Sequence, residues 1–202
     1  MSAQQEVTRS PARISSVERL EQVFMRCFGS SLCTRLQGGA AEPLYQPATL
    51  EGEYHVLYYR ADYFASALHE VAHWCIAGEI RRQQTDFGYW YAPDGRSPAQ
   101  QRAFERVECR PQALEWFFSR ACGHRFRLSM DNLQAMEDDA SHISGFAQTV
   151  YAEVVQLQRL GLPARAAAFF QGLCREFDTP VDPADLQFTI EELNFCRAPA
   201  PG

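Results

Sequence analysis

Three residues in this chain have both the types and the spacing to do chemistry: His69, Glu70 and His73, the fixed positions of an HExxH sequence completed by Val71 and Ala72. On a helix, residues i and i+4 share a face and are separated by about 6 Å along the axis. Two imidazoles so placed can both reach one divalent ion at about 2.0–2.1 Å. Each must offer a neutral nitrogen, which burial favours by disfavouring the imidazolium. Three fixed positions in five recur by chance, and two core histidines satisfied by carbonyls are the plain alternative. Context favours the metal reading. Apart from the motif itself, Ser66 is the one polar residue between Phe64 and Gly78, and the segment follows a strand-like run.

A third ligand is needed, and Asp86, Asp94, Glu105, Glu108 and Glu115 are candidates. Glu108 is the choice. On a helical wheel at about 100° per residue it lies within about 60° of Phe104, Pro111 and Glu115. That places a carboxylate beside an apolar stripe, where an unpaired charge is costly. The duller role is a flank glutamate paired with Arg102 or Arg110. Two histidines and a carboxylate suit two machines. One is a zinc hydrolase with Glu70 as general base on metal-bound water. The other is a non-haem iron(II) oxygenase with open positions for oxygen. Spacing does not separate them.

Composition limits the rest. Hydrophobic residues are 46% and aromatics 12% of 202 residues, enough for a sizeable core in a globular protein. No apolar run approaches a membrane span, and the first residues lack the apolar stretch of an export signal, so the expected compartment is the cytoplasm. A net charge of −6 argues against general nucleic-acid binding. All 19 basic residues are arginine, which excludes Schiff-base, pyridoxal-phosphate and P-loop lysine chemistry. The seven cysteines are odd in number and form no CxxC pair, so they read as reduced thiols packed as small hydrophobes.

The elements that must position the motif follow from periodicity. Residues 1–14 read as a disordered tail, 15–196 as one domain, and 197–202 as a loose end. Ser15 and Glu18 form a capping box for a helix ending near Gly29. Residues 30–52 read as loops with at most a short strand, and Tyr54 to Tyr59 as a strand. The motif helix should run from Phe64 to about Gln83, and Asp86 to Tyr91 should be extended. Pro93-Asp94-Gly95 signals a turn. Ser97, Pro98 and Gln100 mark the start of a helix that Pro111 should kink or break near Cys109. Further helices should carry Ile143 to Leu157 and Ala166 to Phe177, with a short one between Pro183 and Asn194. The expected class is helix-rich α+β with a small β-sheet. His55, His124 and His142 lack partners at ligand spacing. Arg81, Arg82, Arg102, Arg106 and Arg110 can form a local basic face for an acidic partner, although a solvated flank is the commoner meaning of such a run.

Several longer stretches resemble one family. ASALHEVAHWCIAG at 65–78, DFGYWYAPDGR at 86–96, FERVECRPQALEW at 104–116 and MDNL at 130–133 are similar to the bacterial elongation factor P hydroxylases. The resemblance covers roughly residues 16–178 and implies a specific activity: hydroxylation of the translation factor's tip lysine after it has received a β-lysyl group. It implies a metal held by His69, His73 and Glu108, and a fold other than the double-stranded β-helix of most 2-oxoglutarate oxygenases. Iron(II) is the metal and molecular oxygen the cosubstrate on this reading. No basic and hydroxyl pair can be assigned to an oxoglutarate carboxylate, so use of 2-oxoglutarate is left open. Glu70, the candidate catalytic residue, then orients ligands or contacts substrate. Tyr89 and Tyr91 can wall a channel for a long aliphatic side chain, and Asp86 and Asp94 can meet its ammonium. A monomer is expected. The alternative is a cytosolic HExxH zinc peptidase, or a metal-binding protein derived from one.

Overall fold

The computed structural model describes residues 16–86, 96–129 and 140–193, less the side chains at 98 and 140–144. The order of elements is α1 (Ser16–Leu32), β1 (Thr34–Ala40), β2 (Leu44–Gln46), β3 (His55–Arg60), α2 (Phe64–Ile76), α3 (Pro98–Ala121), α4 (Ala140–Leu160) and α5 (Ala164–Phe177), with short 3-10 turns at Arg81–Gln83, Pro183–Asp185 and Ile190–Leu193. The class is helix-rich α+β with a small sheet, as the periodicity indicates.

Strand β3 is the middle of the sheet. It pairs parallel with β1 and antiparallel with β2. The stretch before it is therefore two strands rather than loops. TRLQGGA has little β-branched character, and pairing with β3 supplies the order that local propensity does not. The β1–β3 register slips between Gln37 and Ala40, where Gly39 takes φ 86°. This is a local bulge that glycine accommodates.

Helix α1 continues through Gly29 to Leu32 rather than ending at the glycine. Gly29 is buried, and Met25 covers the place a side chain would occupy. The chain instead turns at Cys33, in the left-handed region with φ 45°. Helix α2 is shorter than its pattern suggests and stops at Ile76. Its end is fixed from outside. Arg165 on α5 donates to the carbonyls of Trp74 and Ala77 at 3.1 and 2.5 Å, satisfying groups left bare at a helix C-terminus with a charge of the favourable sign.

Helix α3 begins with the predicted capping box at Ser97 and Gln100. It then passes through Pro111 without the break that is one of the two expected outcomes. Every residue from Pro111 to Ser119 is buried, because α2, α4 and α5 all pack on this helix. Tertiary packing offsets the hydrogen bond that proline cannot make. Ring contacts tie these layers together. Phe24 and Phe28 of α1 meet Trp74 of α2 at 5.1 and 4.8 Å, and Phe118 of α3 meets Phe169 of α5 at 5.0 Å. The expected last helix is instead two 3-10 turns. Between them Phe188 inserts against Trp116 and Phe117, each at 4.8 Å. Among the described residues no helix is long and apolar enough to cross a membrane.

Candidate metal centre

Helix α2 buries Ala67, Leu68, Val71, Ala72, Trp74 and Cys75. Its remaining stripe, Ser66, His69, Glu70 and His73, follows helical spacing, and His69, Glu70 and His73 are each partly buried. The short link from β3 is held by Ser66 Oγ, which accepts from the Arg60 amide at 3.2 Å. The opposing surface comes from α3. Its inward side carries Gln101, Glu108, Gln112, Glu115 and Ser119, all buried. These polar residues recur at intervals of three, four and seven, so they form one stripe within an otherwise apolar helix.

The two stripes meet at three side chains. His69 Nε2 and His73 Nε2 are 3.0 Å apart. Glu108 approaches them with its two oxygens, Oε2 at 3.3 Å from His69 and Oε1 at 3.2 Å from His73. These three residues are a group able to hold a metal ion, with ligand atoms within 4.8 Å of one another. The edges of the triangle suit such a role. Donors bound at about 2.0–2.1 Å lie about 3.0 Å apart at right angles and about 3.3 Å apart at tetrahedral angles. Two imidazole nitrogens and a carboxylate oxygen suit zinc and iron(II) alike.

The charges around this triangle are strongly coupled. Burial alone would push the His69 imidazolium toward deprotonation. The carboxylates of Glu108 and Glu115 outweigh that and hold its pKa well above the ordinary value. Burial likewise raises the carboxyl of Glu108, but hydrogen bonds from His69 and His73 reverse this and hold it below the usual carboxylate range. Glu70 differs. Burial raises its pKa, and the opposing pull of His69 and His73 does not cancel that rise.

Glu115 is a component whose role the sequence did not reveal. It was one of several possible third ligands, but it lies on the other side of His69, where Oε2 meets Nδ1 at 2.8 Å. The available signal was its seven-residue spacing from Glu108, which puts both carboxylates on one helix face. Of the other residues singled out, Asp86 accepts from Arg81 Nε and pairs its backbone with Tyr45. Tyr89, Tyr91, Asp94 and the Pro93–Gly95 turn lie outside the described residues. His55 Nδ1 accepts from the Ala48 amide, and His124 packs against Phe64. Among the arginines of the suggested basic face, Arg81 pairs with Asp86 and Arg110 with Glu153.

Comparison with known proteins agrees with the residue-level resemblance. The sequence pattern of the elongation factor P hydroxylase family matches residues 23–188. A protein of Haemophilus influenzae named elongation factor P lysine hydroxylase is 43% identical over 166 residues, covering 82% of this chain and 92% of that relative. Helices α2 and α3, and the His69–His73–Glu108 triangle between them, fall wholly within the matched region, and the chain belongs to the elongation factor P hydroxylase family.

Proposed function

We propose that this protein hydroxylates the β-lysylated lysine of translation elongation factor P, in the cytoplasm, as a single-domain, monomeric, metal-dependent oxygenase. The observation that carries the reading is the triangle of His69, His73 and Glu108, assembled from two helices inside the family-matched region. On this proposal the three side chains hold iron(II), which when bound activates molecular oxygen for insertion into a C–H bond. The remaining work belongs to the protein. Helices α2 and α3 bring together the three ligand atoms that would hold the ion. His69 and His73 keep 24% and 17% of their side chains exposed, so the triangle has an accessible face. Glu70 sits beside it, its pKa raised by burial, and orients ligands or substrate there. Asp86, Tyr89, Tyr91 and Asp94 are proposed to receive the long cationic side chain, the tyrosines along its aliphatic part and the aspartates at its ammonium.

Glu70 separates this reading from a zinc peptidase. In an HExxH hydrolase it takes a proton from metal-bound water, and general-base catalysis is worth about 10²–10⁴-fold. In the hydroxylase no water needs activation, and a loss nearer about 10-fold is expected, the low end for residues that support metal ligands. Glu70→Gln should therefore retain oxygen-dependent hydroxylation of lysylated elongation factor P, while Glu108→Ala abolishes it. Peptide cleavage that disappears with Glu70→Gln would replace the hydroxylase by the peptidase.

A further inference from the structure

Glu115 is 7% exposed and lies within α3, surrounded by Leu114, Trp116, Phe117 and Phe118 in sequence and by the packed faces of the neighbouring helices. A carboxylate in such a place costs several kcal/mol unless a partner compensates it. The hydrogen bond the structure gives it is with His69 Nδ1, at 2.8 Å. His69 is thus held at both ring nitrogens by carboxylates from the same helix face, Glu115 at Nδ1 and Glu108 at Nε2. The two contacts are not equivalent. Glu108 also reaches His73 and belongs to the triangle, whereas Glu115 is absent from the group able to share one ion.

We infer that Glu115 is a positioning residue. By accepting the Nδ1–H of His69 it fixes that tautomer and turns the Nε2 lone pair toward the ion, and it supplies a buried negative charge. This rests on the proposed metal site. Imidazole ligands depend on such partners because an acceptor at one nitrogen selects which nitrogen carries the proton and raises the basicity of the other. Charge balance points the same way. A dication at the triangle meets one negative charge in Glu108, and Glu115 brings the second.

Metal affinity provides the test, read independently of turnover. Co(II) is titrated into metal-free protein with a competing chelator, using wild type, Glu115→Gln, Glu115→Ala and His69→Ala. Loss of a partner of this kind weakens binding by about 10–100-fold. Glu115→Gln keeps the shape and an acceptor oxygen but loses the charge, so it should fall near the lower figure. Glu115→Ala should fall near the upper, and both should shift the visible Co(II) absorption. Glu115→Gln is nearly isosteric and carries the test if the alanine variant does not fold. Wild-type binding that is lost in His69→Ala but unchanged in both folded Glu115 variants overturns this inference alone. If wild type binds no Co(II), the metal-site reading falls and this inference with it.

Discussion

Replacing Glu108 by glutamine gives a test of metal dependence with a magnitude that can be worked out. The substitution keeps the side chain's shape but removes the charge between His69 and His73, 3.3 and 3.2 Å away. Without metal, the loss of hydrogen bonds to a charged group costs about 1.5–3 kcal/mol. The cost is moderated because His69 keeps Glu115 at 2.8 Å and is not left as an uncompensated buried cation. The informative quantity is the increment that metal adds. A ligand at 100 times its Kd stabilises the native state by about 2.7 kcal/mol. For a chain of this length each kcal/mol moves Tm by about 2–4 °C. Wild type should therefore gain about 5–11 °C when anaerobic Fe(II) or Co(II) is added at that excess, and Glu108→Gln should gain close to none. Differential scanning calorimetry of both proteins, with and without metal, gives the four numbers required. An equal metal-induced rise in the two proteins would refute the reasoning, whatever their metal-free difference.

Two further outcomes test the frame around the site. A Cβ on Gly38 would lie 2.6 Å from the Tyr59 hydroxyl, 2.7 Å from its ring and 2.9 Å from the Ala61 carbonyl. Tyr59 is fully buried and pinned by Glu21 at 2.9 Å, so Gly38→Ala should destabilise by about 1–3 kcal/mol in urea; an unchanged midpoint would contradict that packing. Cys33 is exposed, whereas Cys75 and Cys109 are buried and burial raises both thiols, Cys109 to about 11. Iodoacetamide at neutral pH should modify Cys33 in the native protein and reach the other two only after unfolding or as pH rises toward their thiolate range. Equal native labelling of Cys75 and Cys33, read by peptide mass, would speak against this burial.

The sequence was most legible where one local rule decided the outcome. The HExxH spacing needs only a helix to bring His69 and His73 together, and the wheel position of Glu108 needs only the next long helix. The capping box at Ser97 is likewise a local signal. Legibility failed where distant partners decide. The strands β1 and β2 form because β3 pairs with them on either side. The end of α2 is set by Arg165, which lies 88 residues from Ala77 in sequence. Pro111 leaves α3 unbroken because three other helices pack on it. Glu115 falls between these cases. Its face was readable, but nothing local shows that it meets the outer nitrogen of His69 rather than the ion.

Intact mass of elongation factor P bears most directly on the proposed activity. The factor is lysylated, then co-expressed with wild-type protein, with Glu108→Ala, or with neither. Wild type should add the mass of one oxygen atom at the modified lysine, in an oxygen-dependent manner, and the other two cultures should leave the lysylated mass unchanged. A lysylated factor of unchanged mass beside folded, metal-loaded wild-type protein would contradict the account.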